Sequence, residues 1–301
     1  MKRLLTILLL LSFFGAQAQD RYVYPDTLNK KKLSVVLGTA GGLYVVSVTG
    51  LYFAWYKGYK RTRFHWDDDW GEWMKKDKLG HLTTSYQMGN YGYWSLRGAG
   101  LSEKKAIWYG GTWGLIYMTT IEFYDGLSAE WGASPTDLLS NTVGTAMFIG
   151  QQFLWHEQRI RPKFSYHPTK YAQYRPGLLG ATSLERIIKD YNGQTNWLSV
   201  NIYSFLNKDS KFPPWLNVAF GYGARGMIGA YGNPPYYMGK PLPHFNRVAQ
   251  FYLSVDVDWT RIKTHSKVLR FIFKALSFVK IPAPAIEYNK ENGFHLYPFF
   301  F

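Results

Sequence analysis

The chain has 301 residues, a formal net charge of +15 and a hydrophobic fraction of 47%. That composition supports a sizeable folded core and argues against disorder. With no cysteine, disulfides, thiolate metal sites, cysteine nucleophiles and a lipid-modified N-terminal cysteine are excluded. The 12 Trp, 24 Tyr and 20 Phe suit surfaces with one apolar and one wet side, as at a membrane interface, and equally a large aromatic core. The basic residues are spread along the chain, and no nucleic-acid motif accompanies them. An anionic lipid or other cell-envelope surface is therefore the expected partner, and nucleic acid is not.

Met1 to Gln19 reads as a secretory signal peptide. Lys2-Arg3 starts it, Leu4 to Phe14 is the apolar run, and Ala16-Gln17-Ala18 is a small-x-small cleavage site. The expected destination is a bacterial cell envelope, membrane-associated, with the outer membrane preferred. Residues 20–157 are expected to form a helical core. Within it, Leu33 to Trp55 is uncharged, mostly apolar and long enough to cross a bilayer. It is equally readable as a buried or interfacial helix. Basic residues flank it on both sides, so charge gives no orientation. Next come His65-Trp66-Asp67-Asp68-Asp69-Trp70 and Glu72-Trp73. Such an acidic run can bind a cation, but more often it is a solvated turn.

Three helices follow: Asp77 to Leu96, Ser102 to Leu127 and Ser134 to His156. The last has the clearest start, with Ser134 as cap, Pro135 in the first turn and Asp137 three residues after the cap. Gln151-Gln152 and Ser140-Asn141 make it a poor lipid-facing span, so packing against protein is expected. Residues 158–176 read as a basic linker. Beyond it, 177–301 reads as a mainly antiparallel β region. Phe251 to Trp259 alternates apolar and polar residues, and Phe294 to Phe301 is a strand-like aromatic end. A terminal phenylalanine is a feature of outer-membrane barrels, yet too few alternating strands precede it for a barrel of eight or more. The expected fold is α+β: a membrane-associated helical bundle, then the β region.

The polar residues inside the apolar helices carry the functional signal. Asp77 and His81 are four apart, Glu122 and Asp125 three apart, and Asp137, Asn141 and Gly144 follow at four and three. Each set shares one helix face, and in a bundle the three faces can converge. Three readings stay open. His81, Glu122 and Asp137 can form a divalent-metal site, with Asp125 beside it. His81, Glu122 and Asp125 can do metal-free acid–base catalysis on an envelope lipid or glycan. Or Asp77, Lys78, Asp137 and Asn141 simply form a buried binding or structural network. Lys78 would then hold a phosphate or neutralise Asp77.

The series Asp77-Lys78-x-x-His81, Glu122-x-x-Asp125 and Asp137-x-x-x-Asn141-x-x-Gly144 resembles the YfiM-like family of predicted periplasmic lipoproteins. It is similar, more distantly, to the VanZ-like membrane proteins. The resemblance spans roughly Asp77 to Gly150 and implies a compact helical envelope module without an assigned reaction. The chain departs from the family in lacking a lipoprotein cysteine and in carrying a long C-terminal extension. There is no serine nucleophile elbow and no His-Glu-x-x-His motif. Gly221-Tyr222-Gly223-Ala224-Arg225-Gly226 looks like a dinucleotide loop but reads as a strand.

Overall fold

A computed structural model describes residues 24–207 and 209–301; the signal-peptide reading of Met1 to Gln19 falls outside them. Helix α1 is Lys30–Leu51, capped by the Asn29 side chain, which accepts from the Lys32 amide. A π-helical turn, Tyr52–Tyr56, prolongs it. Helix α1 is thus long and apolar enough to cross a membrane, and few of its residues are buried. Val35, Leu43 and Val46 are all exposed.

Helices α2 (Lys76–Gly98), α3 (Glu103–Gly111), α4 (Trp113–Gly126) and α5 (Pro135–Trp155) form the bundle. The single helix expected over Ser102 to Leu127 is broken at Thr112. Its hydroxyl bonds the Trp108 carbonyl at 2.9 Å and so competes with the helical ladder just after Gly110-Gly111. Glycine also sets how closely the helices approach. A Cβ on Gly144 of α5 would overlap the Leu82 carbonyl of α2, and one on Gly114 of α4 would overlap that of Ser85. Both close approaches flank His81 and draw the polar stripes together.

The basic linker expected over residues 158–176 is corrected by the structure. Ile160–Tyr166 is strand β1, the first of a six-stranded antiparallel sheet ordered β1-β2-β3-β6-β7-β8. The Gln151 side chain of α5 seeds it. Its oxygen accepts the Arg159 and Ile160 amides, and its nitrogen donates to the Ile160 carbonyl. Strand β2 is Gln194–Asn201, β3 is Leu216–Arg225 and β6 is Val248–Val257. Strands β7 (Ala283–Asn289) and β8 (Gly293–Phe300) end the chain, and β4 (Tyr236–Tyr237) with β5 (Lys240–Pro241) makes a small hairpin. Short helices α6 (Pro176–Leu179) and α7 (Ser183–Lys189) precede β2, and α8 (Lys267–Ala275) precedes β7. Helices and an antiparallel sheet in one chain make the fold α+β.

The sheet curls strongly. Lys163 of β1 and Asp256 of β6 lie two intervening strands apart, about 14 Å on a flat sheet, yet their charged atoms meet at 2.7 Å. Bundle and sheet are also tied together. Lys76, fully buried, donates to the Asn196 side chain and the Tyr222 carbonyl. Burial alone lowers its pKa to about 7.

If Gly144 is needed for this close approach, Gly144→Ala should cost about 1–3 kcal/mol by overpacking. Gly150→Ala, on the same helix with open space at its Cβ, should be neutral or stabilising by up to about 1 kcal/mol. Chemical denaturation of both variants checks the contrast.

Candidate functional site

The site begins with a strained turn. Trp73, Met74 and Lys75 have φ of 46°, 53° and 67°, all left-handed and none of them glycine. Such residues cost of order 1–3 kcal/mol each and persist only where their surroundings hold them. Here the Trp73 amide donates to Ala230, the Met74 carbonyl accepts the Tyr222 hydroxyl, and the Trp73 ring packs on Tyr191. The turn launches α2 so that Asp77, Lys78 and His81 enter the bundle within its first two turns.

Lys78 is the hub. Its ammonium lies 2.6 Å from Asp69, 2.8 Å from Asp137 and 3.4 Å from Asp77. Asp69 also accepts from the Ser134 and Thr136 hydroxyls. The Ser134 side chain caps α5 by accepting the Asp137 amide, as its sequence implies. The Ser134 amide in turn donates to Glu122 at 2.9 Å. Asp77 accepts from the Tyr191 hydroxyl at 2.8 Å.

His81 stands at the centre of the three stripes. Its Nδ1 lies 3.1 Å from the Asn141 oxygen and 3.4 Å from Glu122. Its Nε2 lies between Asp77 and Asp137, 3.9 Å from each. With the ring proton on Nδ1 the ring donates to the Asn141 oxygen and its lone pair is on Nε2. Asn141 also receives the Ser85 hydroxyl at 3.1 Å. Asp125 sits further out, accepting the Tyr56 hydroxyl at 2.7 Å.

The structure thus gathers Asp77, Lys78, His81, Glu122, Asp137 and Asn141, with Asp125 on the rim. Asp69, Glu72, Tyr56 and Tyr191 join them from outside the three helices; Asp69 and Glu72 belong to the acidic run read in sequence as a cation binder or solvated turn, and donor atoms of Asp69, Glu72 and Asp77 lie within 4.8 Å of one another. Asp69, read in sequence as part of a solvated run, is buried. The short range from its acidic run to Asp77 was the one available hint.

The metal set changes too. Donor atoms of Asp77, His81 and Asp137 lie within 4.8 Å of one another. Glu122 instead faces Nδ1, on the other edge of the ring, so no single ion reaches both it and the Nε2 side. Lys78 further disfavours an ion, because its ammonium already occupies the space beside Asp69 and Asp137 at hydrogen-bond distance and repels a second cation.

Several carboxyls share this one ammonium, so not all can ionise. Asp69 remains charged. Burial opposes it, but donation from Asp137, Lys78 and Ser134 outweighs burial and brings it to about 2. Asp137 is pushed upward by burial and then by the Asp77 charge. Burial, partly offset by the Ser134 amide, takes Glu122 to about 8. Burial also takes Asp125 and Glu72 to about 7. His81 is lowered, chiefly by burial, so its ring is neutral at pH 7. A neutral base and protonated acids thus sit side by side.

The site opens on a cavity of about 720 Å³ between bundle and sheet. Asp77, His81, Asp125 and Asp137 lie in its wall, and Trp55, Met88, Tyr91, Ile121, Ile188 and Phe278 supply much of the apolar lining. Comparison with protein families, with curated proteins and with solved structures finds no match to this chain.

The shifts fix the sign of a pH dependence. Between its unfolded value near 4.5 and its folded value of about 8, Glu122 binds more protons folded than unfolded. Stability falls as pH rises through that window, by at most about 1.4 kcal/mol per pH unit from this group. His81 acts oppositely, losing stability as pH drops below 6.5. Glu122→Gln keeps an acceptor for the Ser134 amide and removes the first effect. Its unfolding temperature should decline less than that of the parent between pH 6 and 8 (buffers spanning the folded pKa of about 8), measured by circular dichroism.

Proposed function

We propose that this is an exported cell-envelope protein whose helical core hydrolyses an amphiphilic envelope molecule, a lipid or lipid-linked glycan, by metal-free acid–base chemistry. The observation that carries the reading is the position of His81 Nε2, set between Asp77 and Asp137 at the wall of a large, mainly apolar cavity. The resemblance of the three motifs to the YfiM-like family adds the envelope location, and the long apolar helix α1 adds a membrane attachment.

In this mechanism the apolar walls hold acyl or isoprenoid chain and exclude water from all but the polar end. His81 Nε2 takes a proton from a water molecule, whose oxygen attacks the ester or phosphoester centre. Asn141 and Glu122 fix the ring through Nδ1. The Lys78 ammonium is the cation in the cluster that stabilises the negative charge that develops. The protonated Asp137 gives its proton to the leaving oxygen and regains one from the His81 imidazolium beside it, so water is consumed, one ester bond breaks and both groups are restored.

A second reading is favoured by the saturation of Lys78: with partners on three carboxylates it can serve only to hold the helices together. The two separate on one variant. His81→Ala should lower turnover of radiolabelled envelope lipid extract by about 10²–10⁴-fold while shifting the unfolding temperature little. Loss of stability with no detectable lipid turnover in the parent protein sinks the enzymatic reading and leaves the structural one.

A further inference from the structure

The sheet encloses an unusual share of polar residues. Ordinary alternation buries apolar residues and exposes polar ones. Here three inner rows of the curled sheet, read across the pairing register, are mainly polar or small, Asn201–Asn217–Asp256, Ser199–Ala219–Ser254–Ala285 and Thr195–Gly223–Gln250–Asn289, and between the last two the row Trp197–Gly221–Tyr252–Glu287 packs its rings with Phe300. Every one of these residues is buried. Lys163, Asp256, Ser199 and Asn217 form a closed hydrogen-bonded chain there. Gln250 and Asn289 both donate to Glu287, which is 1% exposed.

The outer face is the reverse. One register row runs Leu198–Phe220–Leu253–Ile286–Leu296 across five strands. All five side chains are exposed, at 40%, 55%, 45%, 44% and 65%. The neighbouring row is aromatic, Phe251–Tyr288–Phe294, and Tyr222 continues it inward to the bundle, where its hydroxyl bonds Met74. On the other side Val255 is exposed as well. Just past the aromatic row, at the same end of the strands, come the exposed Lys290, Arg225, which is paired with Glu291 at 3.0 Å, and Arg247, which donates to the Ala230 carbonyl.

We infer that the outer face of β2, β3, β6, β7 and β8 lies in bilayer hydrocarbon, with its aromatic row at the interface and its basic end against anionic headgroups. An apolar band bordered by aromatic residues, over a polar interior, is how a strand meets lipid. Strands β3 and β6, at ten residues each, have the length of a tilted strand in a bilayer, about 9–11 residues. Water is a poor solvent for this surface, because each row leaves large aliphatic and aromatic area unburied. At that end the exposed Lys290 offers a cation to the phosphates of a membrane surface. The segment at Phe278–Lys280 bonds to Phe164 of β1 and so covers part of one sheet edge. This inference concerns a different surface from the His81 cavity and does not depend on the reaction proposed there.

The chain has no cysteine, so single labels are simple to place. Full-length protein carrying Phe220→Cys, Leu253→Cys or Ile286→Cys, with Lys290→Cys as the control, is modified with a nitroxide and bound to phosphatidylethanolamine–phosphatidylglycerol vesicles. Collision of each label with oxygen, which concentrates in hydrocarbon, is compared with collision with a water-soluble nickel chelate. The expected result is an oxygen-to-nickel ratio several-fold higher at residues 220, 253 and 286 than at 290. Equal nickel access at all four sites overturns the inference, and so does failure to bind vesicles. Shielding of the three sites from both reagents also overturns it, since that means a protein partner or a second copy covers the face. Leu253→Gln, which needs no label, should lower the vesicle-bound fraction several-fold. His81→Ala should leave every label's ratio unchanged, which separates failure of this inference from failure of the catalytic reading.

Discussion

One ammonium among several carboxyls governs this molecule. Lys78 is held by Asp69, Asp77 and Asp137, which come from three separate segments. Removing it from water is costly, and only close, multiple counter-charges make that tolerable. The arrangement also has an arithmetic consequence. The acids outnumber the cation, so protons must remain on some of them at neutral pH. Protons are thereby stored beside His81, whose own burial keeps it neutral. The same excess of acid that threatens stability supplies a donor and a base within one cluster.

Lys76 extends the argument to the rest of the fold. It precedes Lys78 by two residues, so the two side chains leave α2 on nearly opposite sides. Lys78 turns into the bundle, while Lys76 turns to the sheet and meets Asn196 and Tyr222. The left-handed turn at Trp73–Lys75 fixes the direction from which both enter. A few residues thus set the relation of bundle to sheet, and the cavity is the space left between them. Gly144 and Gly114 do the rest by letting α5 and α4 settle onto α2 beside His81.

Helical spacing made much of the site legible in sequence. Asp77 with His81, Glu122 with Asp125, and Asp137 with Asn141 and Gly144 each share a face, and bundle packing brings the faces together. Local spacing says nothing of groups delivered by loops or by distant chain. Asp69 lies in a run that looks solvated, and Tyr191 comes from just before β2. Strand β1 was hidden because its charged, proline-containing sequence resembles a linker, while its partners lie on Gln151 and on β2. In β6 the alternation of Ser254 and Asp256 with Leu253 and Val255 was plain. Period alone marks two faces, though, and does not say which one is the interior.

That last ambiguity is physical rather than one of reading. Which face of a strand is buried depends on the medium outside as much as on the contents inside. In this sheet Asp256 and Glu287 are enclosed while Phe220, Leu253 and Leu296 are not. The bundle repeats the pattern, with Lys76, Lys78, Asn90 and Asn141 enclosed, while Val46, Ile116, Leu139 and Leu154 face outward. In water such a distribution forfeits much of the hydrophobic stabilisation that ordinarily holds a domain together. The burden then falls on polar networks such as Lys163–Asp256 and Lys78–Asp137, which are individually weak contributors once desolvation is counted. In an apolar medium the balance is reversed. The outer side chains no longer need burial, and an unsatisfied inner polar group becomes more expensive, so the same networks fix a single arrangement. Both halves of the chain thus enclose polar groups beside apolar clusters, around Tyr86 and Phe148 in the bundle and around Trp197 and Tyr252 in the sheet, and both leave large apolar side chains outside.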